Sequence, residues 1–454
     1  MNKTATIAVA LIVCSGMALS QAKPGGFARE AAMGGGQVGT NMVINPFIFD
    51  DPSYMYLNPA YQQDYKNYMW ANIGGGFVSG LTGGNNGYGN QNAGVNIGFG
   101  PLALGVILSH DPSAVNTVST LIGGIPGFGG TSIARRGLQT IPGVANVFEV
   151  MASVDLGPLD VGGAIMYGRS NFDSTASFSS PNPTFSNERE ASSSVLGIRG
   201  GLTLDMGGGN ALEASATFRL DNATDNIKDS VSRGEYSASG TELGVIGRLR
   251  LKMSNRVNLI PYAAFGLLSA EPKEDTPPQG LQAITRTVKV TALGIAAGVG
   301  AEYKTPQAFV AGGVSFQTVS VKGEVSDTGA IGTTSLKTSL TGVPVINLGG
   351  EWWFLDWLAG RFGYYRAIAS TNNTFEGRGF TWEGSRTTPI SVINLGGLNG
   401  GTNDALVTLG LGFRFGNFSM DATVSEEALR RGLGLIGAQD NINTFGYINA
   451  SYAL

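Results

Sequence analysis

Apolar and polar residues alternate along most of the chain, and this pattern restricts the fold more than any other feature of the sequence. From Leu212 to Leu220 every second residue is Leu, Ala or Phe, and polar residues such as Glu213 and Arg219 lie between them. The same alternation recurs at 241–252 and again near the C-terminus. Because successive side chains of a strand point to opposite faces, each segment predicts a β-strand with one apolar and one polar face.

Short and long connections alternate between these segments. Each short one contains Gly, Pro, Asn or Asp, the residues that chain reversals favour. Short turns are predicted at Gly100-Pro101, Gly157-Pro158, 206–210, 253–255, 304–306, 354–356 and Gly416-Asn417. Long connections are predicted at 80–90, 111–146, 171–190, 222–237, 271–287, 322–335, 371–404 and 426–440. This layout is typical of an outer-membrane barrel with tight periplasmic turns, and it predicts about 16 strands.

The composition favours a membrane protein over a soluble one. Charged residues make up 14% of the chain, and 69 of its 454 residues are glycine. After residue 22 we find no run of about 18 apolar residues, which argues against transmembrane helices, and a closed barrel is the other way to satisfy the backbone in hydrocarbon. We therefore predict an all-β fold: a transmembrane antiparallel β-barrel of about 14–16 strands with an irregular hatch-like N-terminal segment, in the bacterial outer membrane.

Three regions are predicted along the chain. Residues 1–22 have a basic start, an apolar core and small residues before the expected cleavage site, which are the features of a signal peptide. Residues 23–66 are rich in Gly and contain Asn-Pro and Asp-Pro steps, so they form the irregular segment, either a hatch within the lumen or a flexible periplasmic tail, and 67–454 form the barrel. The one cysteine, Cys14, falls in the signal peptide, so no disulfide or thiolate metal site is expected in the mature protein.

The sequence offers little for catalysis. His110 is the only histidine, so a site with two histidine ligands is excluded, and no metal, cofactor or catalytic residue is predicted. The net charge of −4 provides no basic surface for nucleic acid. We expect no enzymatic activity and no nucleic-acid partner.

Charged residues on the polar faces are expected to line the lumen. The main candidates are Arg199, Glu213, Arg219, Glu242, Arg248, Arg250 and Arg414, with Glu149, Asp155, Asp205, Arg256 and Arg361 in addition. They form either a network that stiffens the barrel and holds the hatch, or a polar constriction that selects solutes. The connection 111–146 is more apolar than an exposed loop requires and is the candidate for ligand capture. Its candidate residues are Ile125, Phe128, Arg135, Arg136 and Ile141.

Two short motifs precede the first predicted strand. The first comprises Met33, Gly34 and Gly35, and the second comprises Asp51, Pro52, Ser53, Asn58, Pro59 and Ala60. This pair, directly after a signal peptide, resembles the opening of the FadL superfamily of outer-membrane proteins. The resemblance implies a transporter of long-chain fatty acids or hydrocarbons in which this region forms a hatch inside the barrel. PorV-like barrels of the type IX secretion system begin in a similar way.

We thus expect passive uptake of hydrophobic small molecules through a hatch-gated barrel. Two alternatives remain open: a general porin for hydrophilic solutes, and a PorV-like barrel that binds secreted proteins. The expected partners are outer-membrane lipid, a hydrophobic small-molecule substrate and, during biogenesis, the barrel-assembly machinery.

Overall fold

A computed structural model of the chain describes most of the predicted barrel and much of the segment before it. The described residues are 25–37, 43–74, 92–109, 144, 146–178, 185–229, 233–276, 284–327, 334–377, 380–390, 406–424 and 445–454. The predicted signal peptide, 1–22, and the five capture-loop candidates, Ile125, Phe128, Arg135, Arg136 and Ile141, lie outside them, as does His110.

Short elements come first in the chain. They are helix α1 (Phe27–Ala32), the hairpin strands β1 (Gly36–Gln37) and β2 (Val43–Ile44), and the 3-10 helices η1 (Pro52–Tyr56) and η2 (Pro59–Gln63). The long run of strands follows: β3 (Tyr68–Gly74), β4 (Asn92–Phe99), β5 (Leu102–Ser109), β6 (Val147–Asp155), β7 (Leu159–Phe178), β8 (Phe185–Gly207), β9 (Asn210–Asp229), β10 (Arg233–Lys252), β11 (Val257–Thr276), β12 (Ile284–Lys304), β13 (Ala308–Asp327), β14 (Thr334–Leu355), β15 (Leu358–Gly377), β16 (Phe380–Ile390), β17 (Leu406–Phe415), β18 (Phe418–Val424) and β19 (Phe445–Ala453).

The strands from β3 onward form one closed antiparallel barrel. Apart from β16 and β17, each pairs with its neighbours in the chain, and β19 pairs with β3 to complete the ring. The outer half of β15 pairs with β16 and its periplasmic half pairs with β17, so β16 and β17 share one position. The barrel therefore has 16 strand positions, as the alternation predicted. Closure of the ring is what a sheet in hydrocarbon requires, because an open edge there leaves backbone groups unpaired.

Exposure follows the predicted alternation. On β9 Phe218 is exposed, whereas Glu213 and Arg219 are buried. On β17 Val407 and Leu411 are exposed, and Thr408 between them is buried. Since the barrel exposes its apolar rows outward, the outer surface matches a lipid environment and the protein is an outer-membrane barrel.

Aromatic residues collect at the periplasmic end of the outer surface. Trp352, Phe354, Trp357, Phe415 and Tyr452 are all exposed there. The Trp357 ring stacks on that of Phe415, with 5.8 Å between centroids. Such a girdle marks the level of the membrane interface. None of the helices in the described part of the chain is long and apolar enough to cross a membrane.

The strands β7–β15 are longer than the alternation predicted. They contain 20 to 23 residues, against 7 to 10 in β3–β6 and β17–β19. A tilted strand needs only about 9–11 residues to cross the membrane, so the long strands extend well beyond it. Most residues predicted as long connections between β7 and β16 are therefore strand, and 371–404 contains the whole of β16.

Candidate functional site in the barrel interior

The N-terminal segment, residues 25–37 and 43–66, lies inside the barrel. Its helix α1 packs against β15, β17, β18 and β19, and η2 packs against β5, β6, β7 and β8 on the other side. Nearly all of its side chains are buried. A buried segment that touches strands around the ring occupies the interior, so the barrel is filled at the level of these contacts.

The residues of the second motif start the two 3-10 helices. Asp51 precedes Pro52, and its carboxylate accepts hydrogen bonds from the backbone N–H of Ser53 at 2.9 Å and of Gly26 at 2.9 Å. Asn58 precedes Pro59 in the same way, and its side-chain oxygen accepts from the N–H of Ala60 at 3.1 Å. Proline fits the first helical position because that position needs no N–H donor.

These motif residues also contact the wall. The side-chain amide of Asn58 donates to the Leu202 carbonyl at 3.0 Å. In the first motif, Met33 is fully buried, and Gly34 has a φ of 72° and accepts from the Asn347 side chain at 2.8 Å. Gly35 closes the end of α1, because its N–H donates to the Glu30 carbonyl at 3.0 Å.

An alternating chain of charges, which we call the Arg29 chain, joins the segment to the wall. Its members in order are Asp51, Arg29, Glu351, Arg361 and Asp421. The four successive nitrogen–oxygen distances are 2.8, 3.0, 2.7 and 2.6 Å. All five side chains are buried, so removal of one member leaves a buried charge uncompensated.

A second group, the Arg248 anchor, holds the middle of the segment. Arg248 on β10 is fully buried and pairs with Glu213 on β9. Its guanidinium also donates to the carbonyls of Ile48 at 2.5 Å and Phe49 at 3.2 Å, and it lies 3.7 Å from the centre of the Tyr54 ring. The planar guanidinium satisfies several carbonyls at once, which suits an irregular backbone that lacks strand partners.

Glu30 in α1 is the least compensated carboxyl of the segment. It is fully buried, and one of its oxygens accepts from the Asn45 backbone N–H at 2.7 Å. The other oxygen has no hydrogen-bond partner. Burial, followed by the nearby Asp51 carboxylate, raises the pKa of Glu30 well above its usual range, although the Asn45 hydrogen bond opposes the shift.

Inward-facing glycines of the wall make room for the segment. A Cβ at Gly162 would lie 2.7 Å from the Pro59 carbonyl oxygen, and one at Gly349 would lie 2.7 Å from the Met33 Cβ. By contrast, no described atom lies within 4 Å of a Cβ placed at Gly244, on β10. The wall glycines at Gly162 and Gly349 therefore permit a close approach that any larger residue prevents.

Beyond the segment, the inner surface of β10–β14 is apolar. The buried inward side chains of this surface, which we call the apolar wall, are Tyr236, Ala238, Ala270, Val288, Val290, Ala292, Val319, Val321 and Leu336. A charged strip on β8 and β9 lies beside it, where Arg189 and Asp225 form a two-bond ion pair with distances of 2.9 Å.

The other candidate lumen residues divide into two groups. Arg199 pairs with Glu149 at 3.1 Å, Arg219 lies 3.4 Å from Asp221 and opposite Glu242, Arg250 pairs with Asp50 at 3.1 Å, and Arg414 lies 4.5 Å from the Trp353 ring centre. The second group was placed wrongly, because Asp155, Asp205 and Arg256 lie exposed at the periplasmic turns. Asp155 and Asp205 each accept a turn N–H at 2.8 Å, so they stabilise turns rather than line the lumen.

Sequence reasoning missed several residues of the wall that bind the segment. Glu351 and Asp421 belong to the Arg29 chain, Glu302 accepts from the Phe49 N–H at 2.5 Å, and Thr408 donates to the Ala32 carbonyl at 3.0 Å. A signal was present, because each is a polar residue on the inward face of an otherwise apolar or glycine-rich strand end.

Comparisons with known proteins do not identify a family. No family model matches the chain, and no curated protein matches it in sequence. Among solved structures, the chain is similar to the Pseudomonas putida toluene transporter TodX, with 9% identity, a TM-score of 0.39 and coverage of 96% of this chain and 99% of TodX. It is also similar to the ferric yersiniabactin uptake receptor FyuA from Yersinia pestis, with 10% identity, a TM-score of 0.32 and coverage of 85% and 79%. Likenesses this distant do not indicate a substrate.

No group of His, Cys, Asp and Glu side chains suited to a metal ion occurs among the described residues. In the Arg29 chain, guanidinium groups lie between the carboxylates and already compensate their charge. The interior is therefore arranged to hold a polypeptide segment near the periplasmic end and to present an apolar surface near the outer end.

Proposed function

We propose that the protein takes up hydrophobic small molecules passively across the outer membrane, with the N-terminal segment as a hatch. The observation that carries this proposal is the apolar wall. A porin for hydrophilic solutes has a polar, water-filled interior, whereas the inward faces of β10–β14 present Val288, Val290, Val319 and Val321. Such an interior favours apolar molecules over hydrophilic solutes, because it offers hydrophilic groups no hydrogen-bond partners in place of water.

The position of the N-terminal segment supports gating. It fills the periplasmic half of the interior, below the apolar wall, so an apolar molecule that reaches the wall from outside meets the segment next. Passage then requires the segment to shift. The occupied interior argues against the general porin as the resting state of the protein.

Substitution of the apolar wall tests the substrate class. In Val290→Thr/Val319→Thr the side chains keep their shape and gain hydroxyl groups that an apolar ligand leaves unpaired. We expect uptake of radiolabelled oleate or toluene into proteoliposomes to fall about tenfold, which corresponds to roughly 1.4 kcal/mol of lost binding.

The matched control is Val299→Thr/Val314→Thr, on the outward faces of the same two strands. This variant adds the same groups to the same strands but not to the interior, so uptake should stay at the wild-type rate. Equal uptake by both double variants, or uptake of glucose as rapid as that of oleate, contradicts the proposal.

A further inference from the structure

Arg366 lies on the lipid-facing side of β15. Its neighbours Tyr365 and Ala367 are fully buried and face inward, so Arg366 faces outward. Along the same outward row, Phe362 and Ile368 are 46% and 43% exposed, and Tyr364 between Phe362 and Arg366 is half-buried. Since the apolar outer face of β15 continues past Arg366 to Ile368, the Arg366 side chain leaves the backbone within the apolar band of the membrane.

Arg366 differs from the interior arginines in its contacts. Arg29, Arg189, Arg199, Arg219, Arg248, Arg250 and Arg361 each pair with a carboxylate. No ion pair joins Arg366 to any described residue, and its Nε atom is buried without a hydrogen-bond acceptor. A cation on the lipid face is unfavourable at the bilayer midplane and less so near the interface.

The strand pairing of the barrel is irregular on both sides of Arg366. Tyr365 pairs with Leu406 at one end of β17, whereas Ala367 pairs with Ile390 at the end of β16. Arg366 therefore stands at the junction of the two strands. On the other side β14 has a bulge between Gly342 and Val345, where two residues oppose Ile368 alone.

The depth of Arg366 suits a headgroup of the outer leaflet. It is the ninth residue of β15 from the periplasmic turn, whereas about 9–11 residues span the apolar band. Ile368 lies two residues, or about 7 Å along the strand, closer to the outer surface. An arginine side chain extends over such a distance and places its charged end at the interface.

We propose that Arg366 binds a phosphate group of an outer-leaflet lipid on the outer surface of the barrel. Guanidinium and phosphate match in charge and in geometry, because two parallel N–H groups meet two phosphate oxygens. This inference does not depend on the proposed uptake function. A carboxylate of an amphiphilic cargo has related chemistry, so the test includes both kinds of anion.

Lipid binding by the full-length protein in detergent is the direct test. Native mass spectrometry measures the apparent affinity for diphosphoryl lipid A and, separately, for oleate. We expect Arg366→Leu to weaken lipid A binding about tenfold and to leave oleate binding unchanged, since the variant loses a hydrogen-bonded charge contact to the phosphate. Arg366→Lys keeps the charge and loses the paired N–H geometry, so its lipid A affinity should lie between those of the wild type and Arg366→Leu.

Arg169→Leu is the matched control, because Arg169 also lies on an outward strand face but donates to Asn171 at 3.1 Å. Its lipid A affinity should remain within twofold of the wild type. Arg366→Leu should fold normally, since leucine is favourable on the lipid face where a charge is not. An unchanged mobility of the unheated protein on gels checks that the variant is folded. Unaltered lipid A binding in Arg366→Leu, or a selective loss of oleate instead, overturns the proposal.

Discussion

On β12, the inward side chain near the periplasmic turn is Glu302, whereas those near the outer end are Val288 and Val290. The outward face changes in the opposite sense, from Val299 to Lys289. At membrane depth the lipid requires apolar residues outside, so polar groups collect inside and bind the N-terminal segment. Above the membrane the outer face meets water, and the apolar residues lie inside. The two halves of the interior thus differ in character: one holds a polypeptide segment through polar and charged contacts, and the other is apolar.

The Arg248 anchor provides the strongest test of the periplasmic half. Arg248→Gln leaves Glu213 buried without its cation and removes donors from the carbonyls of the segment. We expect a loss of about 3–5 kcal/mol from the unfolding free energy, measured by urea titration with the gel mobility shift as readout. The double variant Arg248→Met/Glu213→Leu removes both charges and should recover most of this loss. A single variant as stable as the wild type argues that the segment is not held by this pair.

A wall glycine gives the next largest effect. Gly162→Ala places a methyl group against the backbone of Pro59, so the segment must move, at a cost of about 1–3 kcal/mol. Gly244→Ala is the control, because no described atom lies near the added methyl group. Urea midpoints of the two variants compare the filled and the open parts of the interior directly. Equal midpoints for both contradict the close contact at Gly162.

Glu30 gives a smaller, pH-dependent effect. Its raised pKa means that the folded protein favours the protonated carboxyl. The resulting stabilisation is complete below the usual range of a glutamate and is lost as pH rises through the raised pKa. The charged groups that act on Glu30 are Asp51, Arg29 and Arg248.

Thermal transitions measured across a pH series test this linkage. The wild type should lose stability towards neutral and higher pH, and Glu30→Gln should show a flatter profile because glutamine stays neutral. Asp50→Asn is the control, since it removes a carboxylate of the same segment that is 55% exposed. A Glu30→Gln profile that is parallel to the wild type contradicts a role for this carboxyl.

Much of the barrel was predictable from local sequence. The turn at Gly416 and Asn417 combines a glycine with a φ of 58° and an asparagine, and both flanking strands alternate cleanly. The extension of β7–β15 beyond the membrane was not predicted, because pairing continues there while the outward face becomes polar. The bulge at Val343 and Pro344 was also missed, since alternation resumes after it with the faces exchanged.

The site was less predictable than the barrel. Alternation placed Arg248 and Glu213 on the inward face, but it gave no information on which residues of the segment each would meet. Those contacts join positions about 200 residues apart, such as Arg248 and Ile48. The role of Glu351 depends on Arg29 and Arg361 together, and no local pattern relates three residues from separate parts of the chain.

Single-channel conductance in planar bilayers tests the central claim, that the N-terminal segment closes the interior. The full-length protein should show no large, steady open current, and a variant without residues 25–66 should show one. A large steady current through the intact protein, or an equally small current after the deletion, contradicts the account.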